Sequence, residues 1–321
     1  MATVVTSEDP RIQIEILRSV LGENHTFRSA DLSSIERLIE TAQGADALVV
    51  DTGVPVPKAV FEACPSLEIV ARAGTGVDNI DVTAAADHGI TVTNVPEYCT
   101  EEVSTHAVSL FVTLLRRIET YDRAVENGRW DWTDGRPIPR LSEQTVGLYS
   151  FGGIARRTAE KVAGFGCELI AADPYVDADE MAEYGVEKVS FGELLERADH
   201  ISIHAPLTEE TRHRFDRDVF KRMRETAILI NVGRGPIVDQ AALRRALDAG
   251  EIGAAGLDVL NEEPPVDSDL VGREDVVVTP HTAFYSEGSL TDLNEQVARN
   301  VRDTLSGKRP ESVVDPDAPW L

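Results

Sequence analysis

The sequence predicts an α/β protein built from two Rossmann-like, doubly wound parallel-sheet domains with a cleft between them. Three observations carry this reading. Short apolar, β-branched runs alternate with helical patterns from end to end, as βαβ units do. These runs fall into two arrays separated by one long helical stretch. The segment Gly147-Leu-Tyr-Ser-Phe-Gly-Gly-Ile-Ala155 also passes from a strand into a helix, with an acidic residue, Asp173, at the end of the next strand. A chain of 321 residues is long enough to bury two cores.

In the first array, residues 3–6, 47–51, 67–71 and 91–94 read as strands. Asp9-Pro10 reads as an N-cap followed by proline at the first helical position, opening a helix that runs to about Leu21. The second array holds 145–149, 168–172, 200–204, 227–232, 256–259 and 276–279. Between the arrays, 100–127 begins Thr-Glu-Glu and stops at Gly128, giving a helix of roughly 40 Å that can span two domains. A last helix from about Gly288 to Ser306 follows the final strand. If it returns to the first domain, that domain is discontinuous, 1–98 with 288–321, and the second is 99–287.

The formal net charge of −25 argues against binding nucleic acid or an anionic membrane, since both are polyanions. Only five of the 31 basic residues are lysines, and an acidic, lysine-poor surface is suited to molar salt, which screens charge over roughly 3 Å. A halophilic source is therefore expected. Cys64, Cys99 and Cys167 are odd in number and widely spaced, as reduced thiols are. The N-terminus lacks a basic region and no apolar run reaches membrane-spanning length, so a cytoplasmic protein is expected. The histidines show no metal-ligand spacing, and no metal is expected.

A pyrophosphate needs backbone N–H groups at a helix N-terminus, with glycine where a side chain would block approach. Here the frame Gly-x-Gly-x-x-Gly is filled as Ser150-Phe-Gly152-Gly153-Ile-Ala155. Gly152 sits in register and Ala155 is an accepted variant, but Ser150 departs from the pattern. Serine lacks the positive-φ freedom of glycine, so Ser150→Gly is expected to tighten NADH binding. Asp173 follows at the spacing of the acid that binds the ribose hydroxyls and repels a 2′-phosphate, which favours NAD over NADP.

Three further stretches each bring one ionisable residue to a strand end: Asn231-Val-Gly-Arg-Gly-Pro236, Asp258-Val-Leu-Asn-Glu-Glu-Pro264 and Thr279-Pro-His-Thr-Ala-Phe-Tyr-Ser286. Reducing a 2-oxo acid requires a carboxylate clamp, a proton donor at the ketone oxygen and a partner that keeps the donor protonated. The planar fork of Arg234 suits the first task. His281 suits the second, and Glu263 is its natural partner. Each alone could be a loop charge. At successive strand ends of one sheet, where α/β folds bind ligands, the three make a catalytic set.

Those segments, with Ala71-Arg-Ala-Gly-Thr-Gly-Val-Asp-Asn-Ile80, resemble the D-isomer-specific 2-hydroxyacid dehydrogenases along essentially the whole chain. Val95-Pro-Glu-Tyr-Cys-Thr-Glu-Glu-Val-Ser104 and Gly128-Arg-Trp-Asp-Trp132 look most like the branch related to C-terminal-binding proteins. The resemblance implies a substrate domain formed by both chain ends and an inserted NAD domain. It implies that backbone N–H groups from Ala73, Gly74, Thr75 and Gly76 to Val77 hold the substrate carboxylate, with Arg72 beside them. Thr75 and Asp258 would lie near the nicotinamide, Gly153 and Ile154 at the pyrophosphate, and Ala205, Pro206, Val232, Gly233, Arg234 and His281 along the cofactor. It also implies a homodimer through the NAD domain, with Trp130 and Trp132 at the interface.

The departures are Ser150, Gly153 in place of the usual arginine, and Thr105 where an acidic residue is common. Asp51 stands where the phosphoglycerate dehydrogenases have an arginine for the substrate phosphate, which ranks 3-phosphoglycerate below simple 2-oxo acids. The function expected is reversible, NAD-dependent transfer of a hydride between cofactor and a small 2-oxo acid/2-hydroxy acid pair. A 3-phosphoglycerate dehydrogenase is the alternative among enzymes; an NAD(H)-sensing, corepressor-like binding protein is the alternative of another class.

Overall fold

The computed structural model describes residues 1–318; Pro319, Trp320 and Leu321, expected at the end of the first domain, lie outside the described residues. The chain divides into two compact units, Met1–Cys99 together with the segment from Tyr285 on, and Thr100–Phe284. Each is a wholly parallel sheet covered by helices.

In the first unit the strands are β1 (Thr3–Ser7), β2 (Thr26–Ala30), β3 (Ala47–Val50), β4 (Ile69–Arg72) and β5 (Thr91–Thr93), in the order β2-β1-β3-β4-β5. Their apolar runs read as strands because Val5, Leu48, Val50 and Val70 are buried under helices on the sheet faces. Helices α1 (Ile14–Leu21), α2 (Ile35–Ala42), α3 (Lys58–Ala63) and α4 (Val82–Asp87) connect them. Sequence reading misses β2, an edge strand of sequence TFRSA that is only half-buried and so carries no apolar run.

The expected start of the first helix is also corrected. α1 begins at Ile14, with Gln13 and not Asp9 as its N-cap. Asp9 is engaged locally instead, accepting from the Arg11 N–H at 2.8 Å and from the Arg11 guanidinium. An Asx-type turn has displaced the helix start.

In the second unit, the expected single helix over 100–127 is two helices, α5 (Thr100–Leu115) and α6 (Ile118–Glu126). Arg117 breaks it by adopting a left-handed backbone, φ 55°. The sheet contains β6 (Thr145–Tyr149), β7 (Glu168–Ala172), β8 (Glu187–Lys188), β9 (His200–Ile203), β10 (Ile228–Asn231), β11 (Ala254–Leu257) and β12 (Val276–Val278). Their order is β12-β11-β10-β9-β6-β7-β8, which reverses between β6 and β9. Helices α7 (Gly153–Ala163), α8 (Ala178–Ala182), α9 (Phe191–Arg197), α10 (Arg217–Phe220) and α11 (Gln240–Ala249) cover its faces. A Cβ at Gly256 of β11 would come within 2.8 Å of Ile230 and 3.1 Å of Leu110, so glycine there lets α5 lie close on the sheet.

The chain closes with α12 (Glu287–Leu305), capped by Ser286 and packed on α1 within the first unit. Asn294 of α12 fixes that contact, accepting from Gln13 N at 2.7 Å and donating to Arg11 O at 2.8 Å. Among the described residues no helix is long and apolar enough to cross a membrane.

Candidate active site

The second unit presents the ends of β9, β10, β11 and β12 side by side, and their loops carry the expected catalytic residues. Beyond β10 the turn is set by buried Asn231, whose side chain accepts from Gly233 N at 3.0 Å and donates to Arg234 O at 2.9 Å. Glycine is required here for packing. A Cβ at Gly233 would stand 2.8 Å from Ala205 O, and one at Gly235 only 2.0 Å from Leu260 O. The loops after β9, β10 and β11 are thereby held together, and Val232, Pro206 and Ala205 lie in them.

Glu263 and His281 meet. Nδ1 of His281 is 2.6 Å from Oε2 of Glu263, while Oε1 of Glu263 accepts from Leu260 N at 2.9 Å. Burial pushes the Glu263 carboxyl up, but the bond and charge of His281, the Leu260 N–H and the nearby Arg234 together hold it below its ordinary value. Glu263 is therefore anionic near neutrality and fixes the ring through Nδ1, which leaves Nε2 to face a reacting oxygen. Arg234 is close enough to contribute to that stabilisation, so the three residues form one electrostatic set.

The backbone of His281 is strained, with φ 49°. Asp258, only 2% exposed, holds it there. The His281 N–H donates to Asp258 O at 2.8 Å, and the Asp258 carboxylate accepts from Thr282 N and Ala283 N, each at 2.9 Å, and from Thr279 Oγ1 at 2.6 Å. Asp258, expected from the sequence near the nicotinamide, uses both its oxygens in the structure to anchor the loop that carries His281. His106 of α5 extends the network, its Nε2 lying 2.9 Å from Thr279 Oγ1 and 3.6 Å from Asp258 Oδ1. Neither His106 nor Asn231 is singled out by the sequence, because their roles depend on neighbours distant in the chain.

At the β6–α7 turn, α7 starts at Gly153 with Gly152 as its N-cap and no side chain capping it. A Cβ at Gly152 or Gly153 would meet nothing within 4 Å, so the approach to the first-turn N–H groups, including that of Ile154, is open. Ser150 occupies the left-handed position, φ 73°, that the motif reserves for glycine. Its hydroxyl donates to Asp173 Oδ2 at 3.1 Å, a bond the sequence does not reveal. Asp173 also accepts from Phe151 N and Tyr175 N, each at 2.8 Å. Three acceptor positions of its carboxylate are thus used within the turn, out of about four.

In the first unit, Arg72 ends β4 and its guanidinium lies over Gly74, where a Cβ would be 1.8 Å from Nη1. Gly74 has φ 144°, a conformation open to glycine. The expected carboxylate loop is corrected in part. Ala73 N donates to Val50 O at 2.8 Å and Gly74 N to Arg72 O at 3.0 Å, because the loop continues the β3–β4 ladder before turning. The amides of Thr75, Gly76 and Val77 donate to no backbone carbonyl among the described residues. Thr75 is positioned by Asn94 Nδ2, 2.7 Å from its carbonyl, and by its own hydroxyl 3.2 Å from Val95 O.

Residues 108–283 match the family model of the D-isomer specific 2-hydroxyacid dehydrogenase, NAD binding domain. The chain belongs to this family. A glyoxylate reductase of Korarchaeum cryptofilum is 40% identical over 285 residues, covering 87% of this chain and 85% of its own length. D-3-phosphoglycerate dehydrogenase 2, chloroplastic, of Arabidopsis thaliana is 38% identical over 312 residues, 94% of this chain. The chain spans 50% of that enzyme's length and 53% of the D-3-phosphoglycerate dehydrogenase of Methanocaldococcus jannaschii. The crystal structure of D-lactate dehydrogenase from Aquifex aeolicus, complexed with NAD and lactic acid, superposes with a TM-score of 0.88 at 26% identity, covering 95% of this chain and 96% of that one.

The second unit is accordingly an NAD-binding domain, and its residues fit the dinucleotide. The open glycine-bounded start of α7 suits the pyrophosphate, and Asp173 retains acceptor capacity for a ribose hydroxyl.

Proposed function

We propose that this 2-hydroxyacid dehydrogenase family member is an NAD-dependent enzyme reversibly converting a small 2-oxo acid to its D-2-hydroxy acid. The observation that carries the reading is the His281–Glu263 pair, 2.6 Å apart beside Arg234 at the strand ends of the NAD-binding domain. NAD(H), when bound, supplies or accepts the hydride. Arg234 is the second unit's partner for a substrate carboxylate, and the amides of Thr75, Gly76 and Val77 are the first unit's donors for one. Nε2 of His281 gives its proton to the oxo oxygen in reduction and takes it back in oxidation, while Glu263 stabilises the imidazolium. Gly152, Gly153 and Ile154 hold the pyrophosphate, and Asp173 the adenosine ribose.

A second reading, 3-phosphoglycerate dehydrogenase, draws on the relatives of that name. Asp51, buried at the end of β3, weighs against a phosphorylated substrate. The test is turnover of a panel of 2-oxo acids with NADH and NADPH in molar KCl. Cofactor binding without turnover of any member would replace the enzyme reading with that of a sensor.

We further propose, from sequence patterning, that the protein is cytoplasmic, belongs to the branch related to C-terminal-binding proteins and comes from a high-salt environment. Melting curves with equal midpoints in low and molar KCl would overturn the last point. A homodimer through the NAD domain would cover Trp130 and Trp132, which are 90% and 69% exposed. Light scattering of the Trp130→Ala, Trp132→Ala variant checks it, with a monomer expected.

A further inference from the structure

In the first unit the strand order reverses between β1 and β3, so their carboxyl ends flank the crevice where doubly wound sheets bind ligands. Asp9 lies two residues beyond β1, Asp51 is the residue after β3, and Arg72 ends β4 opposite Val50 of β3. Three strand ends therefore bring two carboxylates and a guanidinium to one edge, and Arg11 joins them.

Arg11 is saturated there. Its Nε is 2.6 Å from Asp9 Oδ1, its Nη2 is 2.7 Å from Asp9 Oδ2 and 3.4 Å from Asp51 Oδ1, and its Nη1 is 3.2 Å from Thr52 Oγ1. At least four of its five N–H groups are engaged, and the planar fork that would suit a phosphate is filled by a carboxylate. Asp51 is itself fixed, only 7% exposed and accepting from Gly53 N at 2.6 Å. The two aspartates balance Arg11 and Arg72, so this edge carries no net charge for a second anion to meet.

We propose that Asp9 and Asp51, acting on Arg11, select 2-oxo acids whose group on the oxo carbon is small and uncharged, and reject a phosphorylated one. The proposal rests on the dehydrogenase reading above. Neighbouring strands are about 4.8 Å apart, so a phosphate whose phosphorus is four bonds from a carboxylate held just after β4 reaches the end of β3, where Asp51 stands and Arg11 meets it. A hydrogen, methyl or hydroxymethyl group meets a surface there whose charges are balanced and which asks for no counter-charge. A phosphate monoester, near −2 at pH 7, gives up water beside the fixed Asp51 carboxylate, and the Arg11 fork that would receive it is already filled by Asp9.

The experiment compares kcat/KM for hydroxypyruvate and 3-phosphohydroxypyruvate, with glyoxylate and pyruvate completing the series, in wild type, Asp51→Asn, Asp51→Arg and Asp9→Asn, all checked by melting. Wild type is expected to favour the hydroxyl over the phosphate by at least a hundredfold. That ratio should fall at least tenfold in Asp51→Asn and further in Asp51→Arg; loss of fold would lower both substrates together and leave it unmoved. Asp9→Asn, at a more accessible position, supplies the same comparison should the Asp51 variants not fold. Wild-type preference for the phosphorylated acid, or a ratio unchanged in folded variants, overturns the proposal alone. No turnover of any 2-oxo acid removes the dehydrogenase reading and this proposal with it.

Discussion

Nδ1 of His281 lies 2.6 Å from Oε2 of Glu263, and the carboxylate's other oxygen is held by Leu260 N at 2.9 Å. A histidine clamped through one nitrogen can turn only the other toward substrate, and its clamp is an anion. His281→Ala is therefore expected to lower kcat by at least a thousandfold with NADH affinity within about threefold of wild type, since general acid catalysis contributes roughly that much. Glu263→Gln keeps the contact but removes the charge and should cost about ten- to a hundredfold in kcat. Steady-state kinetics with fluorescence titration of NADH check both, and unchanged turnover in His281→Ala would falsify the assignment.

Asp258 acts on the same chemistry from beneath. Its carboxylate binds Thr279 Oγ1, Thr282 N and Ala283 N, which keeps His281 in a left-handed backbone that the residue would otherwise leave. Asp258→Asn places an NH2 group against backbone donors in a site that is 2% exposed. The expected loss is about 2–4 kcal/mol of stability, together with a drop in kcat larger than any change in NADH affinity. Urea denaturation and kinetics on one preparation test it; a stable variant with full kcat would show that the strained loop stands without Asp258.

The split between what the sequence showed and what it hid follows from range. Arg234 and His281 were legible because β10 and β12 are short apolar runs, ILIN and VVV, that each residue follows closely, and Glu263 because it lies in the loop between β11, AAGL, and β12. The partners of Asp258 and His106 were hidden, since a buried aspartate and an exposed one look alike until Thr279 is brought beside both. The break at Arg117 was hidden too: no glycine or proline marks it, and helical patterning runs through it. β2 gave no apolar signal because an edge strand need not be apolar.

His200 predicts a pH dependence of stability. It is buried against Phe111, ring centroids 5.1 Å apart, and its Nδ1 accepts from Ile228 N at 3.2 Å. Burial pushes its pKa down to about 4, with Asp199 opposing and Arg224 assisting. The unfolded chain, with an ordinary histidine near 6.5, takes up the proton first as pH falls. This residue's contribution therefore declines from about pH 6.5 and is lost by about pH 4. His200→Gln can retain an acceptor but cannot titrate, so the stability gap between wild type and variant should shrink by about 2 kcal/mol from pH 7 to pH 5. His204, pushed down to about 3 by burial, acts alike in both proteins and cancels. A gap independent of pH in urea melts at fixed salt would contradict the assignment.

Ser150 sets strain against a hydrogen bond. At φ 73° a serine costs about 1–2 kcal/mol that glycine does not, which by itself makes Ser150→Gly an improvement. Yet its hydroxyl donates to Asp173 at 3.1 Å, and a hydrogen bond to a charged acceptor contributes about 1.5–3 kcal/mol. The two terms nearly cancel, so Ser150→Gly should leave NADH affinity within about threefold of wild type rather than tighten it. Ser150→Ala separates them, because alanine keeps the strain and loses the hydroxyl. Asp173 would then be held by the Phe151 and Tyr175 amides alone, and NADH should bind about tenfold more weakly, with thermal stability of the cofactor-free protein also reduced. Fluorescence titration of NADH into the three proteins decides; alanine binding as tightly as serine would mean that the hydroxyl does not position Asp173 for the ribose.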